Sequence, residues 1–360
     1  MIYYLFCFIF PFVAFIKTTV YKNVSLFLGG AFLVLFSALR WETGTDWLPY
    51  YEDFLVPNQR HDFEPGYVLY VNLIRFFTNN YTIFLIITSL IPVYLLFKTC
   101  KNLIKDYELI VIAIAFFYSY YYLGSFFGAE RRIIAIGILS FSLCYLFTNR
   151  MLKASLLIML AATFHASALI MFLGIFIKKS KVRDQYILLV ISMVAFIPLS
   201  LFLKNILFEV LNYIPGEVIK AKLNAYIDSP EQYGSLGFGG ILKRSIVVVI
   251  FTYVIFKTEL KNNEMVISFL KFYLAGISFY LLFSPVSAMF SVMSIYFTIT
   301  EIFIWPYVFK KIGGFSRSPV FIFLLIAYLC FQSNSILKSY PELFYPYLSI
   351  FSSEHRVGLE

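Results

Sequence analysis

Ten apolar runs constrain this chain more than any other feature of its sequence. Most have roughly 15 to 20 residues, about the length of a helix that crosses the hydrocarbon core of a bilayer. They cover residues 2–16, 24–39, 81–97, 107–124, 133–147, 185–203, 244–256, 265–283, 287–309 and 319–336. With 61% hydrophobic and 14% charged residues, the chain has too little polar surface for a water-soluble fold. The sequence predicts an all-α polytopic integral membrane protein of about ten full spans, in a single integral membrane domain over residues 1–360.

Lysine and arginine occupy alternate connections between the runs. The basic connections hold Lys17 and Lys22; Lys98, Lys101 and Lys105; Arg150 and Lys153; Lys178, Lys179, Lys181 and Arg183; Lys257 and Lys261; and Lys310, Lys311 and Arg317. Because short cytoplasmic loops accumulate such residues, these connections are predicted to be cytoplasmic, and both termini and the loops 40–80 and 204–243 are predicted to be outside. The net charge of +9 is then mainly an insertion signal. No basic tract is typical of a nucleic-acid partner.

A polar segment follows the second apolar run directly. An interfacial belt of aromatic residues would explain its tryptophans and tyrosines. It would not explain Arg40, Asp46 and the nearby Glu64, because charges beside lipid are costly. Gly44 and Gly66 are predicted to form turns, the second leading into an amphipathic helix over 67–77.

Arg131 and Arg132 lie together on the predicted outer side, against the usual charge bias. A guanidinium presents a fixed fork of donors that suits phosphate oxygens, so the pair predicts an anion site. The alternative is a salt bridge of Glu130 to an arginine, with lipid headgroup contacts.

His165 lies in an apolar stretch whose two flanks, Lys153 and Lys178, are both basic. Two arms of about 18 Å at 1.5 Å per residue are too short for two crossings. The sequence predicts a short broken-helix pair around His165 within the membrane, where such breaks hold sites in transporters and enzymes. The alternative is a core histidine with satisfied hydrogen bonds. Glu301, in the run 287–309, is predicted to pair with a buried cation.

Four short motifs resemble the EpsG/Wzy-type family of bacterial polysaccharide polymerases. They are Arg40-x-x-x-Gly44-x-Asp46-x-x-x-Tyr50, Glu64-Pro-Gly-Tyr67, Arg131-x-x-x-Ala135 and Phe164-His165-x-Ser167-Ala168-Leu169. The resemblance implies a GT-C-like, metal-independent glycosyltransferase without a cofactor. Its substrate would be an undecaprenyl diphosphate-linked oligosaccharide at the outer face of the bacterial inner membrane, in O-antigen or exopolysaccharide synthesis. A chain-length regulator membrane protein is a candidate partner.

The residues allow a mechanism of this kind. His165 is predicted to deprotonate the acceptor hydroxyl, while Arg131 and Arg40 stabilise the departing lipid diphosphate. Asp46 and Glu64 would orient Arg40 or the acceptor sugar. Where the resemblance predicts an arginine near Tyr296, the chain has Ser291, Val292 and Met293, so other cations must compensate. The predicted substrate-binding set is Asp46, Glu64, Tyr50, Tyr67, Arg132, Ser167, Lys243 and Arg244.

Two other function classes fit the same features. A membrane-bound O-acyltransferase also places a histidine within the bilayer, although the Asn or Asp motif that usually accompanies it is not identifiable here. A flippase or transporter of lipid-linked sugars would also need intramembrane charges. The polar residues here cluster on one predicted face rather than along a whole pathway.

Overall fold

The computed structural model describes residues 2–56, 63–213, 238–284, 286, 288–313 and 319–353. Within those ranges the chain is helical, and its one β-type pairing is an isolated antiparallel bridge between Arg40 and Ser349. The predicted all-α class is therefore confirmed. The chain divides into two compact units, Met1–Leu169 with Trp305–Glu360, and Ile170–Ile304.

The described residues of the first unit form nine α-helices before its interruption. They are α1 (Leu5–Ile9), α2 (Thr19–Ala38), α3 (Trp47–Leu55), α4 (Pro65–Phe77), α5 (Tyr81–Leu103), α6 (Tyr107–Phe116), α7 (Leu123–Phe126), α8 (Glu130–Phe147) and α9 (Met151–Phe164). A π-helical turn over Phe117–Tyr122 joins α6 to α7. In this unit α5 packs against α2 and α8, and α9 packs against α4 and α8.

The 3-10 segment Ala166–Phe172 leads from α9 towards the second unit. The remaining helices are α10 (Leu173–Lys179), α11 (Val182–Tyr213), α12 (Phe238–Lys257), α13 (Glu264–Phe283), α14 (Ala288–Thr298), α15 (Glu301–Gly313), α16 (Pro319–Leu337) and α17 (Pro341–Phe344). Within the second unit α13 packs against α10, α11 and α14. The predicted loop 204–243 is helical at both ends, and its centre, 214–237, lies outside the described residues.

Six helical segments in the described ranges are long and apolar enough to cross a membrane. They are Thr19–Ala38, Tyr81–Leu103, Tyr107–Phe126, Gly239–Lys257, Glu264–Phe283 and Val320–Leu337. A seventh crossing results if the pair Phe290–Thr298 and Glu301–Ile312, bent by 46°, counts as one span. The chain is therefore a polytopic membrane protein, and the described residues do not confirm the predicted count of about ten spans. One reason is that the first run, around Pro11, folds into short 3-10 and α pieces. Another is that α8 begins with three charged residues.

Basic connections predicted to share one side of the membrane lie together in the first unit. Lys310 Nζ donates to Asp106 Oδ2 at 2.7 Å, and Lys22 Nζ lies 5.0 Å from the ring centre of Tyr107. These contacts bring the start of α2, the α5–α6 connection and the end of α15 to one end of the unit. The side of the membrane on which that end lies stays a prediction.

The described parts of the predicted loop 40–80, residues 40–56 and 63–80, fold into a compact aromatic layer. Helices α3 and α4 pack against the first turns of α5, and the predicted amphipathic helix is α4. The buried core of this layer consists of Ala38, Trp47, Tyr50, Phe54, Tyr67, Val71, Ile74, Tyr81, Phe84, Leu85 and Ala129. Rings of this size bury enough apolar surface to order a connection that lacks a long helix.

The C-terminal segment fixes the backbone around Arg40. Trp41 N donates to Leu348 O at 3.0 Å, and Ile350 N donates to Leu39 O at 3.0 Å, on either side of the bridge to Ser349. These bonds satisfy backbone N–H and C=O groups of the residues that follow α2.

Gly44 lies in a backbone conformation that side chains rarely adopt. Its φ is +110°, its N–H donates to Leu343 O at 3.0 Å, and a Cβ there would lie 2.2 Å from Phe127 O. The predicted turn therefore depends on the absence of a side chain.

We expect Gly44→Ala to destabilise the protein strongly. The strained backbone alone costs of order 1–3 kcal/mol, and the clash with Phe127 O adds to it. The melting temperature in detergent measures the effect. The matched control is Gly124→Ala, since its Cβ would meet only Ile336 atoms at 3.9 Å. Equal melting temperatures for the two variants would contradict this account of Gly44.

Candidate functional site

The carboxylate of Glu64 joins three parts of the first unit. Glu64 directly precedes α4, whose first residue is Pro65. Its Oε1 accepts hydrogen bonds from His165 Nδ1 at 3.2 Å and from the Ala166 N–H at 2.9 Å. Its Oε2 pairs with Arg131 Nη1. A cation, an imidazole and a backbone donor therefore share one carboxylate.

Gly66 allows α4 to approach the last turn of α9. A Cβ on Gly66 would lie 2.3 Å from Thr163 Oγ1 and 2.7 Å from Thr163 O. Gly66 lies inside α4, so the predicted turn at this residue is wrong. Its small size serves helix packing instead, and this contact brings Glu64 within reach of His165.

His165 ends α9 in an extended conformation, with φ −153° and ψ 107°. The predicted helix break is thus present. It directs the imidazole of His165 away from the hydrogen-bonded backbone of α9. Nδ1 faces Glu64, whereas Nε2 has no hydrogen-bond partner among the described residues, and the side chain is 23% exposed. When Nδ1 donates to the carboxylate, Nε2 carries the free lone pair.

Arg131, in the first turn of α8, presents one free edge of its guanidinium. Nε donates to Tyr50 Oη at 3.1 Å, Nη1 pairs with Glu64, and Cζ lies 4.1 Å from the ring centre of Phe63. Nη2 makes no hydrogen bond in the described part of the chain, and the side chain is 16% exposed. The cation is therefore held in place by its neighbours and still has a donor for an anion.

The protonation of Glu64 and Tyr50 follows from these contacts. Burial opposes ionisation of Glu64, but the hydrogen bonds from His165 and Ala166 and the charge of Arg131 together lower its pKa to about 2. Burial raises the pKa of Tyr50 to about 12 although Arg131 opposes the shift. Glu64 is thus a carboxylate and Tyr50 a neutral phenol at any physiological pH.

Arg40 lies behind this cluster, in a buried network of its own. Its side chain is 1% exposed, and Nη2 lies 3.4 Å from Glu130 Oε1. Glu130 also accepts from Tyr81 at 2.8 Å and from Tyr67 at 3.3 Å. Arg40 Nε and Nη1 have no hydrogen-bond partner in the described ranges, and Cζ lies 5.3 Å from the ring centre of Phe127. A guanidinium enclosed in this way does not face a substrate in this conformation.

The other predicted residues lie in different surroundings. Tyr67 is fully buried, so in this conformation it meets Glu130 rather than a substrate. Asp46 is half-buried before α3 and makes no hydrogen bond or ion pair with the described residues. Arg132 has a buried Nε without a hydrogen-bond partner there, and Ser167 is half-buried just after His165.

Lys243 and Arg244 belong to the second unit, at the start of α12. Arg244 donates to Gly240 O at 3.1 Å and lies 3.8 Å from the ring centre of Tyr280. Lys243 interacts electrostatically with Glu301, the acid predicted to pair with a cation.

Sequence reasoning did not anticipate the partners of Glu130. The sequence suggests a salt bridge of Glu130 to an arginine only as an alternative. It shows Tyr81 only as the start of an apolar run. A buried acid at a helix start needs donors around it, but the sequence does not reveal which distant hydroxyls supply them.

The sequence matches the EpsG family over residues 23–349. No curated protein and no solved structure matches it.

We expect the stabilising effect of Glu64 to depend on pH. Because its folded-state pKa lies below the ordinary value, the carboxylate stabilises the fold fully above about pH 4.5 and less as the pH falls towards 2. Glu64→Gln should therefore lower the melting temperature by a constant amount between about pH 5 and pH 8, and by less in stronger acid. The exposed Glu342→Gln is the control. A deficit that grows in acid would contradict the assigned pKa.

We expect Glu130→Ala to destabilise the protein by about 3–5 kcal/mol, because it leaves Arg40 buried without its counter-charge. The double variant Arg40→Met with Glu130→Met should recover most of that loss, since no buried charge remains. Thermal unfolding in detergent compares them. If the double variant is no more stable than Glu130→Ala, the ion pair is not the source of the loss.

Proposed function

The chain belongs to the EpsG family, and from that premise we propose that it is a polysaccharide polymerase. It is a membrane glycosyltransferase that transfers a glycan from undecaprenyl diphosphate onto a sugar hydroxyl of another lipid-linked repeat unit. Its product is an O-antigen or an exopolysaccharide. The reaction takes place at the outer face of the bacterial cytoplasmic membrane, with both termini on that side.

One observation carries the proposal: a single carboxylate holds both a base and a cation, and leaves each with one free edge. Glu64 binds His165 through Nδ1 and Arg131 through Nη1, so that Nε2 and Nη2 remain available. A glycosyl transfer from a diphosphate needs these two functions, removal of a proton from the acceptor and stabilisation of negative charge on the leaving group.

The proposed reaction is a single displacement at the anomeric carbon of the donor. His165 Nε2 takes the proton of the acceptor hydroxyl while its oxygen attacks the anomeric carbon of the donor. The bond from that carbon to the diphosphate oxygen breaks, and the lipid diphosphate departs with the electron pair. Arg131 Nη2 donates to the departing oxygens. Direct attack inverts the configuration at the anomeric carbon, and no metal ion is required.

Glu64 acts through its two partners. By accepting from Nδ1 it fixes the tautomer in which Nε2 is the base, and it stabilises the imidazolium formed after proton transfer. By pairing with Arg131 it orients the guanidinium, which Tyr50 holds from the other side. Glu64 thus positions His165 and Arg131, whereas the sequence predicted that it would orient Arg40 or the acceptor sugar.

Arg40 also has a positioning role in this proposal. Its burial beside Glu130 separates it from the reacting groups, whereas Glu130 adjoins Arg131 in α8. The pair fixes the start of α8, and hence Arg131, relative to α2. The stabilisation of negative charge on the leaving group is therefore assigned to Arg131. Arg132 is the next residue in the sequence.

The remaining features of the proposal rest on family resemblance and chain composition. They are a GT-C-like arrangement of about ten spans, a chain-length regulator as partner, and diphosphate contacts from Lys243 and Arg244. Asp46 and Ser167 are proposed to contact the sugars, since each is half-buried beside an element of the site.

His165→Asn tests the base directly. The asparagine amide can still donate to Glu64 from near the position of Nδ1, but it has no basic nitrogen. We expect polymerisation to fall by about 100-fold or more while the melting temperature stays close to wild type. The measurement is formation of polymer ladders from lipid diphosphate-linked repeat units by the protein in liposomes. Ladders of wild-type length from this variant would contradict the assignment of the base.

Arg131→Lys tests the cation in the same assay. The lysine keeps the charge but loses the fork that pairs with Glu64 while donating to a substrate, so a loss of about 100-fold is expected. The matched control is Arg75→Lys on α4, where the arginine lies 5.8 Å from the ring centre of Phe54 and outside the cluster. Equal activity of the two variants would contradict the role of Arg131.

A further inference from the structure

A cleft in the first unit has a different chemistry from the cluster around Glu64. Its volume is about 490 Å³, within the range of small-molecule sites. The rings of Trp41, Tyr51 and Tyr81 form one wall, and the amides of Asn79 and Asn80 form another. Thr82, Ser349 and Ser352 add hydroxyl groups at the rim. This set is called the Trp41 cleft below.

Among the described residues, no charged side chain lines the Trp41 cleft. A phosphate or nucleotide ligand would need cations, and this lining has none. A lipid chain suits the cavity between α2 and α5, lined by residues such as Leu26, Val34 and Val93, better than this cleft, whose described aliphatic lining is Leu55 and Ile350. The chemistry that remains is an uncharged ligand with many hydroxyl groups.

Several polar groups of the cleft are free to bind such a ligand. The Trp41 indole N–H, the Tyr51 hydroxyl and the Asn79 amide make no hydrogen bond with the described residues. Asn80 differs, since its Oδ1 caps α5 by accepting from Thr82 N and Ile83 N. Free donors and acceptors beside aromatic faces match a saccharide ring, which has an apolar C–H face and polar hydroxyl edges.

The aromatic wall is rigid because its rings support one another. Trp41 packs edge-on to Tyr51 at 5.3 Å and to Trp47 at 4.8 Å between ring centres, and Tyr51 packs edge-on to Tyr81 at 5.1 Å. A wall already fixed in this way loses little conformational entropy when a ligand binds.

The cleft is connected to the site through Tyr81. Its ring lines the cleft, and its hydroxyl donates to Glu130, which directly precedes Arg131. Tyr81 and Glu130 thus link the lining of the cleft to the first turn of α8, which carries Arg131.

We propose that the Trp41 cleft is a binding subsite for the uncharged sugars of a glycan, at a distance from the bond that reacts. This inference rests on the proposed function for the identity of the glycan. Through this subsite the protein binds the growing or incoming glycan independently of the lipid diphosphate.

Tryptophan fluorescence tests the subsite without any turnover. The chain has three tryptophans. Trp41 lines the cleft, and Trp47 packs against Trp41. Trp305 lies elsewhere, stacked on Phe116 with 5.2 Å between the ring centres. In the Trp305→Phe background, the signal comes from the cleft pair alone. The probe is the neutral oligosaccharide repeat released by mild acid from the surface polysaccharide of the producing strain.

We expect a saturable change in fluorescence with this probe and none with inorganic pyrophosphate. Tyr51→Phe and Asn79→Ala should each weaken binding on the order of three- to tenfold, because each removes one hydrogen-bonding group. The control is Asn72→Ala, an exposed amide on α4 outside the cleft, and it should bind like the parent. These variants are conservative, and size-exclusion profiles and melting temperatures verify that they fold.

The outcomes separate the subsite from the proposed function. His165→Asn should bind the probe like the parent, because it alters only the base. If the probe binds and Tyr51→Phe weakens binding, the subsite stands even where the parent forms no polymer, a result that would overturn only the polymerase proposal. If the parent forms polymer but shows no saturable change up to millimolar probe, or if Tyr51→Phe and Asn79→Ala bind like Asn72→Ala, the subsite is overturned.

Discussion

The shared carboxylate of Glu64 is the interaction on which the site depends. One oxygen receives His165 and the backbone of Ala166, and the other receives Arg131, so the starts of α4 and α8 and the end of α9 meet at one group. In a partly buried position such charge-assisted bonds are stronger than in water, and they keep the carboxylate ionised. The imidazole of His165 and the guanidinium of Arg131 therefore share one support, and neither can move without affecting the other.

A second buried charge pair fixes the elements that carry the first. Arg40 and Glu130 are both nearly inaccessible, and the hydroxyls of Tyr67 and Tyr81 complete the shell of Glu130. The C-terminal segment binds the backbone on both sides of Arg40, which explains why a segment remote in sequence belongs to this part of the fold. Charges that are expensive to bury thus act as positional constraints, since each has only one arrangement of partners.

Much of the fold could be read from the sequence, and the failures have identifiable causes. The apolar runs predicted the helical class, and the basic flanks of His165 predicted the break that the structure has after Phe164. The described residues do not confirm about ten spans, because the first run folds into short 3-10 and α pieces and α8 begins with three charged residues. Gly66 was interpreted as a turn since it follows proline, but its contact with Thr163 comes from a helix almost a hundred residues away.

The sequence by itself determined which residues are chemically unusual. Charges and an imidazole among apolar runs are costly, so Arg40, Glu64, Arg131 and His165 could be selected from composition and spacing alone. Only the tertiary structure decided which of them are enclosed and which keep a free edge. Pairing depends on side-chain directions at helix ends brought together by packing, and that packing buried Arg40 with Glu130 while it left Arg131 and His165 each with a free edge.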